Sequence, residues 1–145
     1  MDTLIRTLRW PVATLLVTGA MHFTAEAVAP GLRDLFTPPV LGPLLLAYGL
    51  WVGAAAVLEG GGFATAIVAG AILGILPVAL DTVGFGIILG RGLETGSLVG
   101  AFGWLMIVFG ALAGGGIATS RLATHTATQE VDRARTAPVA SPTTI

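Results

Sequence analysis

Three ionisable side chains lie inside apolar stretches of this chain: His22, Glu26 and Asp81. A fourth, Glu59, lies at the edge of one. On insertion scales a charge at mid-membrane costs about 2.5–3.5 kcal/mol, so such groups are retained for a structural or chemical reason. His22 and Glu26 stand at i and i+4 and share one face of a helix. Asp81 belongs to a row of mostly small residues at helical spacing: Gly70, Gly74, Pro77, Asp81 and Gly84. Such a row packs on a neighbouring helix, which turns Asp81 away from lipid. Pro77 removes one backbone hydrogen bond and should bend the helix one turn before Asp81.

The chemistry this trio could do is proton transfer. Two carboxyls close together in low dielectric do not ionise equally, so one serves as acid and the other as base. A histidine beside them adds a group that titrates near neutrality. A lipophilic substrate could enter such a site sideways from the bilayer and be isomerised, cyclised or have an epoxide opened. The expected site is Glu26 and Asp81 as the acid/base pair, with His22 orienting Glu26 or shuttling protons. Tyr48, Trp51 and Trp104 fall at similar depth and, with Pro77, are expected to line it.

The same residues also have purely structural roles open to them. His22 could pair with Glu26, and Asp81 could satisfy the backbone gap that Pro77 opens. Glu59, beside Gly60-Gly61-Gly62, reads as a solvated helix end, and Trp10 as part of an interfacial belt. One histidine and two carboxylates are a common metal-binding composition, but too unspecific for a metal to be expected. A haem would have to use His22, the one intramembrane candidate for an axial ligand, so no cofactor is expected.

The elements that must position these groups follow from composition. The chain has 145 residues, 54% of them hydrophobic and 10% charged, where a soluble domain carries about 25% charge. Mean hydropathy is +0.90. A soluble domain this small could not bury so much apolar surface. The expected fold is an all-α integral membrane protein, a bundle of four transmembrane helices with short loops. With no cysteine, disulfides, thiol catalysis and iron–sulfur clusters are excluded. All seven basic residues are arginines without a basic run, so nucleic acid is not an expected partner.

Four stretches reach the roughly 20 residues needed to span: about 11–29, opening with Pro11 in its first turn, then 41–58, 63–89 and 97–119. Together, residues 1–120 form the bundle. Pro38-Pro39 closes the first connection. Residues 121–145 form a polar tail, helical near Arg121–Arg135 and then disordered. At 1.5 Å per residue, His22, Glu26 and Asp81 lie about 3, 9 and 7 Å beyond the midplane in one leaflet. Arg6, Arg9 and Arg121 on one side outnumber Arg33 and Arg91 on the other, each of which has an acid nearby (Asp34, Glu94). This puts both termini in the cytoplasm of a bacterial-type cytoplasmic membrane. Ala25-Glu26-Ala27 after the first apolar run has the outline of a signal-peptidase site, but a Glu inside it is awkward, and the segment is expected to stay.

The opening, Arg6 and Arg9 before a span that ends Gly19-Ala20-Met21-His22-Phe23, resembles the start of DoxX-like four-span proteins over about a fifth of the chain. The later spans do not show that family's pattern, so no residue role is carried over. The polar signatures of fluoride channels and small multidrug exporters are absent as well.

Twenty-one glycines supply further helix contacts. Gly49/Gly53, Gly70/Gly74, Gly96/Gly100 and Gly110/Gly114 are GxxxG pairs that let backbones approach closely. They could pack the bundle itself or join it to a homo-oligomer or a larger membrane complex. Two functional alternatives follow: a proton-coupled homo-oligomeric transporter or channel, and an accessory subunit.

Overall fold

A computed structural model describes residues 2–28, 38–90 and 92–136. Side chains at 26, 38, 85, 94–97 and 134 lie outside that description. So do Arg33, Asp34, Arg91, the Glu94 side chain and the last nine positions of the expected tail. Every element among the described residues is helical: α1 (Asp2–Val28), α2 (Pro38–Leu58), α3 (Gly62–Asp81), a π-helical segment (Thr82–Ile88) and α4 (Leu93–Thr136).

The boundaries differ from the expected spans for local reasons. Helix α1 begins at Asp2, whose acid favours the helix N-terminus. Leu4, Leu8 and Val12 pack against the core and draw the first turns into the helix. Pro11 is therefore fully buried inside α1 rather than in its first turn. It has no N–H to offer the Thr7 carbonyl. Pro38 and Pro39 open α2 rather than closing a loop. Their fixed φ suits the first helical turn, where the missing N–H is no loss. Helix α2 ends in a Schellman motif. The Gly61 amide donates to the Ala56 carbonyl and the Gly60 amide to the Val57 carbonyl. Gly60 sits at φ 85°, a conformation that suits glycine.

Helix α4 runs 44 residues without interruption. That is about 66 Å, twice the ~30 Å of a bilayer core. The polar tail thus starts as a continuation of α4, and its described side chains from Arg121 onward are exposed. Among the described residues, three helical stretches are long and apolar enough to cross a membrane: Pro39–Leu58, Gly62–Ile88 and Leu98–Arg133. Thr14, Thr18, His22, Thr24 and Glu26 interrupt the apolar run of α1.

The closest packing is between α2 and α4, which run parallel. A Cβ on Gly49 or Gly53 would collide with the carbonyl oxygens of Ile107 or Ala111. One on Gly110 or Gly114 would collide with those of Leu46 or Leu50. Two of the GxxxG pairs therefore face each other. Helix α3 runs antiparallel to α4, with Gly70 on Ala111, Gly74 on Trp104 and Gly100 on Val78. The core between them holds Val52, Ala69, Leu73, Ile107 and Ala111. A smaller cluster, Ala56, Val57, Ala66 and Ala118, lies toward the α2–α3 turn.

Helix α1 lies against α2 and α3 in a less extensive contact. Gly19 meets Leu80, and Phe23 covers Gly84. Both pairs stand 61 positions apart, so α1 and α3 run parallel in constant register. A second tie lies at the other end of α1. The buried Thr7 hydroxyl donates to the Glu59 carboxylate at 3.1 Å. The exposed Glu59 thus anchors α1 to the α2–α3 turn, where solvation alone was expected.

The α2–α4 contact generates an opposed pair of outcomes. Gly53→Ala and Gly114→Ala should each lower stability in a denaturant titration in detergent by about 1–3 kcal/mol, through overpacking. Gly116 faces open space, so Gly116→Ala should leave stability unchanged or raise it by up to about 1 kcal/mol through helix propensity. Stabilisation by all three would contradict the packing.

Candidate functional site

A cleft of about 570 Å³ opens between α1, the start of α2, the end of α3 and the π-helical segment. Its walls are leucines and other apolar residues, interrupted by Thr18, His22 and Asp81. Leu16, Ala20, Ala79 and Val83 are both lining and exposed. The cleft therefore opens sideways between α1 and α3, toward whatever surrounds the bundle.

The register of α1 and α3 fixes how the polar groups stand. Leu80 is level with Gly19 and Gly84 with Phe23. Asp81 is therefore level with Ala20, and His22 lies two residues on, about 3 Å further along the axis. Both side chains are half-buried and line the same cleft. Asp81 reaches it because the stripe behind it is used as the sequence suggested. Gly70, Gly74, Pro77 and Gly84 are buried. Pro77 lines the cleft and packs on Gly103 of α4. The helix continues through Pro77 and leaves α geometry only at Thr82, directly after Asp81. Its wider turns persist to the Leu89 amide, which donates to the Gly84 carbonyl five residues back. Segments of this kind are rare and concentrate at functional sites.

Glu26 lies one turn beyond His22 on α1; its side chain is outside the described residues. Tyr48 stands behind the cleft. Its hydroxyl is 3.0 Å from the Thr18 hydroxyl. Thr18 gives its own proton to the Thr14 carbonyl at 3.0 Å, so Tyr48 is the donor. This chain of hydrogen bonds joins α2 to the polar side of α1. Trp51 is half exposed and stacks on Tyr48, with ring centroids 6.3 Å apart. The Trp104 indole N–H donates to the Ala71 carbonyl at 3.2 Å and ties α4 to α3. None of these three aromatic residues is among the lining residues. His22, Asp81 and Pro77 are.

Thr18 belongs to the site and was not singled out from sequence. Its signal was its spacing: Thr14, Thr18 and His22 recur every four residues on one face of α1. The leucine walls had no comparable signal, because leucine lines every helix here. Among the described residues no three His, Cys, Asp or Glu side chains are placed to hold a metal ion.

No protein-family model, curated protein or solved structure matches the chain. The functional reading rests on the site itself.

Proposed function

We propose that this chain is a four-span integral membrane protein whose cleft between α1 and α3 takes up a lipophilic small molecule from the bilayer. Asp81 and Glu26 serve as proton donor and acceptor on that molecule, and His22 orients or relays the proton. The single observation that carries this reading is a sideways-opening apolar cleft with His22 and Asp81 at nearly one level. Its volume falls within the ~300–1,000 Å³ range of small-molecule sites. Proton transfer to a bound molecule requires groups that face it, and the two described titratable side chains of the lining do so.

The outer surface supports membrane embedding. Ile67, Ile75, Ile87, Leu98, Phe109 and Ile117 are all exposed, an apolar surface that water would not tolerate. Helix α1 is the fourth span. Its threonines return their hydroxyl protons to the preceding turn, Thr14 to the Trp10 carbonyl and Thr24 to the Ala20 carbonyl. Those bonds lower the cost of threonine in lipid. Both termini lie on the cytoplasmic side, with Arg9 stacked over the exposed Trp10 ring at 5.5 Å near that interface.

Two experiments test this. In nanodiscs, an aliphatic diazirine probe should label 15–23 and 76–88 above all other lipid-facing residues. Ala79→Trp, which fills the mouth, should cut that labelling roughly tenfold while leaving other sites unchanged. Even labelling over the whole apolar surface, insensitive to Ala79→Trp, would remove the cleft as a site. For topology, the absence of cysteine makes single-cysteine variants clean reporters. A membrane-impermeant maleimide applied to intact cells should label Leu93→Cys, and should reach Leu58→Cys and Thr128→Cys only after permeabilisation. The inverse pattern would reverse the orientation.

A further inference from the structure

The cleft reading leaves its ligand unspecified beyond being lipophilic. Asp81 narrows it. Among the described residues its carboxyl has no hydrogen-bond or ion-pair partner. No buried polar side-chain atom is left unsatisfied in the described structure, so its oxygens are open to the cleft space. The described arginines lie on the first three turns of α1 (Arg6, Arg9) and on the extension of α4 (Arg121, Arg133, Arg135). None of them lines the cleft. Among the described lining residues, those on the walls around Asp81 are apolar apart from His22 and Thr18.

We infer that the molecule taken up is a lipophilic amine, its ammonium group held by the Asp81 carboxylate and its apolar body lying along the leucine walls. This rests on the cleft being the ligand site. The physical case is one of complementarity. A carboxylate among apolar side chains is costly while unpaired, and a cation brought by the ligand removes that cost. Charge-assisted hydrogen bonds are about twice as strong as neutral ones. Recognition would therefore concentrate on one contact and leave the apolar body loosely specified. The position of Asp81 suits this. The lining extends about one turn below its level, to Leu76 and Pro77, and about two turns above, to Ile88. An amine held at that level has apolar wall on either side.

The test compares two fluorescent probes of one shape, 1-pyrenemethylamine and 1-pyrenemethanol. Binding is read as energy transfer from tryptophan in nanodiscs of neutral phosphatidylcholine, so that lipid charge does not concentrate the amine. Wild type should bind the amine roughly tenfold tighter than the alcohol. Asp81→Asn should abolish that preference and retain the affinity for the alcohol, which also reports that the cleft is intact. Asp81→Glu should keep the preference. Equal binding of both probes by wild type would overturn the amine proposal and leave the cleft reading standing. Binding of neither would overturn both. A preference unchanged in Asp81→Asn would remove Asp81 as the anchor. The wild-type ratio is decisive even if the Asn variant does not fold.

Discussion

With only a hydrogen at positions 49, 53, 110 and 114, α2 and α4 meet backbone to backbone. In lipid no hydrophobic force draws one helix to another, because acyl chains are as apolar as leucine. For a bundle embedded as proposed, close dispersion contact must do the work, and only residues without bulk allow it. Helix α3 closes on the same pair through Gly70 and Gly74, and Ala69, Ala111 and Val52 fill what little space is left. The consequence is an inverted distribution of size. Small residues make the closest helix contacts, Leu73 and Ile107 fill the core beside them, and many of the large apolar side chains face outward, as Phe102, Leu105 and Phe109 do on α4.

Helix α1 is excluded from that arrangement. Gly19 meets the flexible end of Leu80, and Gly84 is covered by the Phe23 ring. Side chains rather than backbones set the α1–α3 separation, and the cleft is the space left over. Polar ties hold α1 in place along its length: Thr7 to Glu59 at one end, and Thr18 to Tyr48 near the cleft. These groups are local and specific, so they fix the register of α1 without filling the gap beside it. Among the described residues the Asp81 carboxyl in that gap has no hydrogen-bond or ion-pair partner, so it adds no tie of this kind. Its retention fits a protein that gives up stability for function.

Much of this architecture is legible in the residue pattern. The GxxxG pairs announce close helix contacts, and the stripe from Gly70 to Gly84 carries Asp81, which is half-buried and lines the cleft. The depth estimate puts His22 and Asp81 within about one helical turn of each other, but with Asp81 the further along, whereas the α1–α3 register puts His22 about 3 Å beyond Asp81. Three things are not legible. Which glycine face meets which depends on the whole bundle, so the α2–α4 pairing could not be separated from oligomer contacts. The rotation of α2 and α4 places Tyr48, Trp51 and Trp104 outside the lining, and depth alone says nothing about rotation. The π-helical segment after Asp81 contains Gly84 and Gly86, and glycine spacing carries no mark of its wider turns. Pro11 illustrates a similar limit. Its preference for a first turn is outweighed by the packing of Leu4 and Leu8.

The cleft requires α1 to stand beside α3 in parallel register, since this places His22 and Asp81 on one lining. Paired cysteines introduced into the cysteine-free chain and oxidised in native membranes measure that register directly. Pairs 19/80 and 23/84 should cross-link efficiently, and pairs 19/84 and 23/76 should not. Cross-linking that favours the second set, or is even across all four, would place α1 elsewhere and dissolve the cleft.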